Sequence, residues 1–223
     1  MTVLLAEDHL IVREGLRMLL NAEEDIEVVG EAGNGRETVT LTKQLLPDVV
    51  VMDIAMPQMN GLEAARQILR AHPAVKVIVL SAYSDDAYVE SVMALGASGY
   101  LVKQTAAGVL PKAIRSAFKG ETFFSPVISD RLDQKKRAQV LAGGSGKAKT
   151  PAKLTSRETE VLQLIAEGNA NKQVAGLLNI SIKTVEKHRQ KVMQKLHIHH
   201  TAGLTRYAID SGIIESSVHS TKS

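Results

Sequence analysis

The sequence predicts an α/β unit built on a five-stranded, parallel, doubly wound sheet, followed by a smaller all-α unit. Three observations carry that prediction. Short apolar runs alternate with helix-length segments over residues 1–125, a Gly-, Ser- and Lys-rich break follows, and one-sided helical patterns fill residues 154–215. Strand and helix in regular alternation imply a parallel sheet covered on both faces.

The apolar runs are Val3-Leu4-Leu5-Ala6, Ile26-Glu27-Val28-Val29, Val49-Val50-Val51-Met52, Val77-Ile78-Val79-Leu80 and Tyr100-Leu101-Val102. Most are rich in β-branched residues, the composition of strands buried on both sides. Residues 9–21, 34–46, 61–71, 85–95 and 106–119 each have room for one helix. In the third of these, Leu62, Ala65, Ile68 and Leu69 recur on one helical face. Residues 126–153 hold Lys135-Lys136-Arg137, Gly143-Gly144-Ser145-Gly146 and Lys147-Ala148-Lys149-Thr150-Pro151, the composition of a flexible basic linker. Order is expected to resume at Leu154, where Thr155 and Glu158 have capping-box spacing, with helices near 156–167, 171–178, 182–196 and 201–211. The polar tail 216–223 reads as disordered.

At 44% hydrophobic and 23% charged residues, the composition is that of a soluble globular protein. No apolar run approaches the roughly 20 residues of a bilayer span, and no basic stretch precedes an apolar core at the N-terminus. A cytoplasmic location without membrane association is the expectation. The absence of cysteine excludes disulfides and thiolate metal sites. The net charge of +3 hides an asymmetry: residues 1–125 carry 11 Lys+Arg against 16 Asp+Glu, and residues 126–223 carry 16 against 8. An acidic front and a basic back call for different partners, and a polyanion suits the back.

The ends of the apolar runs carry the chemistry. Glu7-Asp8 follows the first run, Asp53 the third, Ser81 the fourth and Lys103 the fifth. In a doubly wound sheet, ligands bind beyond the carboxyl ends of the strands where strand order reverses. With the order 2-1-3-4-5, Glu7, Asp8 and Asp53 converge there, and Ser81 and Lys103 flank them. A single acid at a strand end is usually just solvated; five groups so placed form a constellation. Three crowded carboxylates repel unless a cation sits among them, and oxygen-only ligands favour Mg²⁺. Lys103 and Ser81 suit the oxygens of a phosphoryl group carried by one carboxylate, and Asp53 is the central one. Haloacid-dehalogenase-type phosphatases also use such an aspartate but need a second acid two residues on, where this chain has Ala55. The chain is therefore expected not to be an enzyme.

On these residues the front of the chain resembles a receiver domain of two-component signalling. The resemblance covers residues 2–120 and rests on Glu7-Asp8, the block from Asp53 through Met56-Pro57 and Asn60-Gly61 to Glu63, Ser81-Ala82, and Tyr100-Leu101-Val102-Lys103. It implies a flavodoxin-like fold and phosphorylation of Asp53 by a sensor histidine kinase. It implies Mg²⁺ held by Asp8, Asp53 and the Ala55 carbonyl, with Glu7 acting through water, and a switch pair of Ser81 and Tyr100 whose ring turns inward. Gln104 departs from the proline common in receivers, which bears on the loop after Lys103.

The back of the chain carries a reader. On a helical projection of residues 182–196, Ile182, Val185, Val192, Met193 and Leu196 share one side, and Lys183, Lys187, Gln190, Lys191 and Gln194 the other. Ser181 is placed as N-cap, and Val174, Leu177 and Leu178 mark a shorter helix joined through Asn179-Ile180-Ser181. Two helices across so short a turn fit a helix-turn-helix, the second entering the major groove of double-stranded DNA. Lysine offers phosphate attraction and glutamine base-edge hydrogen bonds. Residues 154–214 resemble a LuxR-type DNA-binding domain through Leu154-Thr155-Ser156-Arg157-Glu158, Gly168, Asn171-Lys172-Gln173-Val174-Ala175, Ile180-Ser181, Thr184-Val185-Glu186-Lys187-His188 and Lys195-Leu196. That resemblance places Glu186, Lys187 and Gln190 where family members contact bases, and Lys183, Thr184 and Lys191 complete the expected DNA-facing set. Arg189 lies toward the packed side as a structural or edge-phosphate contact, and the histidines, without acidic or cysteine co-ligands, read as packing or backbone contacts. Both halves together resemble the NarL/FixJ class of response regulator. The expected organisation is a receiver at 1–125, the linker at 126–153, the reader at 154–215 and the tail. Phosphorylation is expected to release the reader from the receiver or to pair receivers into a homodimer, and the resemblance implies that the last helix, Leu204–Ile209, forms the reader's dimer contact.

Overall fold

The computed structural model describes residues 1–82, 86–125, 128–129 and 154–214. The sheet strands are β1 (Thr2–Ala6), β2 (Glu27–Ala32), β3 (Val49–Asp53), β4 (Lys76–Ser81), β5 (Gly99–Val102) and β6 (Phe123–Phe124). The helices between them are α1 (Leu10–Asn21), α2 (Gly35–Leu45), α3 (Gly61–Ala71), α4 (Asp86–Ala94) and α5 (Lys103–Phe118). The strands are parallel in the order β2-β1-β3-β4-β5-β6, so β1 and β3 are neighbours at the reversal.

Successive strand residues point to opposite faces, and the core divides accordingly. Val3, Leu5, Val49, Val51, Ile78, Leu80 and Leu101 pack with Leu16 and Leu20 of α1 and Leu110 and Ile114 of α5. Leu4, Ala6, Val50, Met52, Val77, Val79 and Tyr100 face the other way, onto Ala64, Ala65 and Ile68 of α3 and Val89 and Val92 of α4. With both faces covered, β3 is buried along its whole length, which explains an uninterrupted apolar run in place of alternation.

The expected five-stranded sheet gains a sixth strand. Gly120 at φ +83° turns the chain back after α5, and Phe123 and Phe124 pair with Gly99 and Tyr100. Two residues are too few for a periodic signal. Just beyond, Ile128 is 1% exposed and joins the cluster containing Tyr100. The second strand also outruns its apolar segment, continuing through Gly30 and Glu31 to Ala32. The fifth helix begins at Lys103 rather than near 106, because Val102 leads straight from strand into helix.

The second unit consists of α6 (Ser156–Ala166), α7 (Asn171–Leu178), α8 (Ile182–Leu196) and α9 (Thr201–Asp210). The capping box is present: Thr155 Oγ1 accepts from Glu158 N at 3.3 Å, and Thr155 N donates to Glu158 Oε2 at 2.8 Å. Ser181 Oγ accepts from Thr184 N at 3.1 Å and starts α8. Val161, Leu162, Leu164, Ile165, Val174, Leu178, Val185, Val192, Leu204 and Ala208 form its core. Ile182 falls on the apolar arc of α8 yet is 45% exposed, since the first turn projects past that core. Most of the expected linker (126–127 and 130–153) and the expected tail lie outside the described residues.

Candidate functional site

The pocket forms where β1 and β3 end side by side. Asp53 is the last residue of β3, Glu7 directly follows β1, and Lys103 begins the helix after β5. Lys103 Nζ stands 2.8 Å from Glu7 Oε2 and 2.9 Å from Asp53 Oδ2. Glu7, Asp53 and Ser81 are each 1–2% exposed, and Asp8 is half-buried beside them. Ser81 ends β4 in register with Val102, which places it on the flank of the pocket occupied by Lys103. Tyr100 is fully buried in the core.

Negative charge is crowded in the pocket. Burial pushes the Asp53 carboxyl up from 3.8 to about 6; Lys103 opposes this, while Glu7 and Asp8 add to it. Burial works against the Lys103 ammonium as well, but Asp53 and Glu7 outweigh it and raise its pKa. Among the described residues, Glu7 Oε2 and Asp53 Oδ2 have no hydrogen-bond partner beyond that ammonium. Glu7 and Asp53 share the Lys103 ammonium with Asp8 beside them, and this all-oxygen donor set fits a hard divalent ion such as Mg²⁺. His9, which the sequence analysis passed over, sits on the acidic pair: its Nδ1 is 3.0 Å from Asp8 Oδ1 and 3.2 Å from Glu7 Oε1. Its pKa is raised, chiefly by Asp8.

The loop from Ile54 to Asn60 is held closely against the pocket. Gly61 N donates to Ile54 O at 2.8 Å, and a Cβ on Gly61 would lie 2.0 Å from the Asp53 carbonyl oxygen. Gly35 N donates to Met59 O at 3.1 Å, where a Cβ would come within 2.3 Å. Asn60 caps α3, its Oδ1 accepting from Glu63 N at 2.9 Å. Ala55, the expected carbonyl ligand, is half-buried at the start of this loop.

On the second unit, Lys183, Glu186, Lys187, Gln190 and Lys191 are all exposed along one side of α8. Thr184 is half-buried, with Oγ1 2.8 Å from Ser181 Oγ, so it shares in the cap. Arg189 leaves that face: its guanidinium donates to Thr201 Oγ1 at 2.7 Å and to Asn171 Oδ1 at 3.4 Å. His188 is half-buried with its pKa lowered, first by burial and then by Arg157 and Lys191.

Comparison with known proteins meets this geometry in both halves. Residues 3–115 match the response regulator receiver domain, and residues 152–208 match the luxR family of bacterial regulatory proteins. The chain is 43% identical over 199 residues to the transcriptional regulatory protein LiaR of Bacillus subtilis, covering 88% of this chain and 90% of that one. It is 35% identical to the oxygen regulatory protein NreC of Staphylococcus carnosus, covering 96% of this chain and all of that one. The solved RcsB–DNA complex aligns with a TM-score of 0.57 at 31% identity, over 95% of this chain and 98% of that one. The chain belongs to the response regulator family with a LuxR-type DNA-binding domain.

In this response regulator the two domains touch, in part through Arg36, Glu160 and Gln163, which the sequence analysis did not single out. The first helix of the DNA-binding domain, α6, lies against α3 and the 54–60 loop. Arg36 of α2 donates to Glu160 at 2.6 Å, and Gln67 of α3 to the same carboxylate at 3.1 Å. Gln163 Nε2 donates to Met56 O at 2.9 Å while its Oε1 accepts from Asn60 N at 2.8 Å. Gln58 N donates to Glu167 Oε1 at 3.0 Å, and Asn60 Nδ2 to Ile213 O at 3.3 Å. The one sequence signal was the run Val161-Leu162-Gln163-Leu164-Ile165, which the structure buries throughout. A helix buried on all sides needs two packing partners.

Proposed function

We propose that this response regulator acts in the cytoplasm, accepts a phosphoryl group on Asp53 from a sensor histidine kinase and thereby controls binding of α8 to promoter DNA. The observation that carries the reading is the buried Asp53 carboxylate 2.9 Å from Lys103 Nζ, with Glu7 on the same ammonium. In the transfer, an Asp53 carboxylate oxygen attacks phosphorus while the bond from phosphorus to the donor's histidine nitrogen, or to the acyl oxygen of acetyl phosphate, breaks. The leaving group departs with that electron pair. Lys103 holds a positive charge beside the phosphoryl oxygens, and the Ser81 hydroxyl donates to one of them. Asp8, Asp53 and the Ala55 carbonyl, with Glu7 behind them, would hold Mg²⁺, which supplies further neutralisation of the phosphoryl charge when bound. No second acid stands at position 55 to activate water, so the chain keeps its phosphoryl group as a signal and is not a phosphatase.

Tyr100 is already buried, which favours a readout through the 54–60 loop and the domain contact over a large swing of that ring. Release of the DNA-binding domain then lets two copies pair and bring two α8 helices to adjacent half-sites. Incubation with acetyl phosphate and Mg²⁺, then selection of bound DNA from a random pool, tests both domains together. Phosphate recovered on residue 53 with a sharpened DNA preference is the expected result; modification elsewhere, or none, refutes the reading. The open α8 face favours a second reading in which DNA binding needs no phosphate, and equal selection from treated and untreated protein would establish it.

A further inference from the structure

We propose that Gln163, a residue of the DNA-binding domain, is a positioning residue for phosphorylation of Asp53. It acts by clasping both ends of the loop that follows the acceptor. The inference rests on the reading of Asp53 as acceptor. The Gln163 side chain is 1% exposed, and its amide spans Met56 O and Asn60 N. A flipped amide would set oxygen against the Met56 carbonyl and NH₂ against the Asn60 amide, so the network itself fixes the orientation. Glu167 closes the set, accepting from Gln163 Nε2 at 2.8 Å and from Gln58 N.

The clasped segment is the one the acceptor depends on. Ile54 N donates to Leu80 O, and Gly61 N returns to Ile54 O, so the loop is tied to the ends of β3 and β4. Met56 directly follows Ala55, whose carbonyl faces the metal in the proposed function. Phosphoryl and metal oxygens would thus grip the near end of a loop whose remaining backbone groups are held by another domain. A loop held from two sides couples them, and such coupling runs equally in both directions. The docked helix favours the unphosphorylated loop and slows acceptance; phosphorylation in turn loosens the helix.

The contact suits a reversible latch. Among the described residues its polar part consists of side-chain amides, backbone groups, the Glu167 carboxylate and the Arg36–Glu160 ion pair, all of which water satisfies once the domains part. It also leaves the exposed side of α8 uncovered. The latch therefore governs phosphate acceptance and domain freedom without masking the reading helix.

The test uses the full chain. Gln163→Ala removes the clasp, and Gln163→Glu keeps its shape and acceptor but turns a carboxylate toward the Met56 carbonyl. Arg36→Glu loosens the same contact from the receiver side, and pairing it with Glu160→Arg restores the ion pair. Expected results are hydrogen exchange of the Gln58 and Asn60 amides at least 10-fold faster in all three single variants, measured without phosphodonor. Phosphorylation by acetyl phosphate should be several-fold faster in the same three, with reversion toward wild type in the Arg36/Glu160 swap. Unchanged exchange in folded variants overturns the latch, and faster exchange with an unchanged phosphorylation rate overturns the positioning role. Failure of Asp53 to take phosphate in any variant, including wild type, would instead overturn the acceptor reading and leave the exchange result standing.

Discussion

At the residue scale the protein is organised around one unfavourable group. Asp53 is 2% exposed, and its carboxyl holds a proton more tightly in the folded chain than in an unfolded one, about 6 against 3.8. Above pH 6 the ionised side chain therefore costs stability, and the cost disappears as pH falls through 6 toward 4. Asp53→Asn removes that charge. In the absence of divalent ions at pH 7.5 the variant should be more stable by about 1–3 kcal/mol in urea unfolding, since a tenfold change in proton affinity is worth about 1.4 kcal/mol. The difference should vanish near pH 4, and Mg²⁺ should stabilise wild type alone. A variant less stable than wild type at both pH values would show that Asp53 is not the strained member of the pocket. Gly61 makes the complementary case. Its missing Cβ is required by the Asp53 carbonyl, so Gly61→Ala should cost about 2 kcal/mol or more and abolish phosphate incorporation together. Glu7, Asp8, Asp53, Ser81 and Lys103 could be found in the sequence because parallel strands deliver their following residues to one edge. His9 could not, because a histidine after two acids carries no periodic signal.

At the element scale, what periodicity can encode was recovered and what it cannot was missed. The reading helix α8 spans the residues its amphipathic pattern marks, since Val185 and Val192 lie on one stripe and the lysines on the other. The strand β6 escaped because two residues show no period, and α5 starts early because a strand running straight into a helix leaves no turn residue to mark the junction. The exposed lysines of α8 carry a prediction of their own. Lys187→Ala and Lys191→Ala should each weaken binding to any duplex by a similar factor and reduce the slope of log affinity against log salt by about one. Gln190→Ala should alter sequence preference with little change in that slope. Fluorescence anisotropy at several salt concentrations distinguishes the two outcomes, and unchanged affinity in both lysine variants would mean that another surface holds the duplex.

At the scale of the whole molecule, the domains meet through groups that look like ordinary surface in the sequence. Arg36, Glu160 and Gln163 follow no motif, and only their pairing across the fold shows why Glu160 and Gln163 are buried. An acidic receiver joined to a basic reader also limits how tightly the chain can bind DNA as a monomer, because the receiver's net negative charge repels the phosphates the reader seeks. Pairing two chains relieves this by doubling the basic contacts that reach DNA at once. Two-fold pairing places two α8 helices on one face of the duplex, so half-sites should lie about one helical turn apart, roughly 10–10.5 base pairs. An operator selected by the phosphorylated chain should lose cooperative binding when about five base pairs are inserted between its half-sites. About ten inserted pairs should restore part of it, because the second reader then returns to the same face. Binding indifferent to both insertions, measured by footprinting, would mean that the chains bind as independent monomers and that phosphorylation acts within a single molecule.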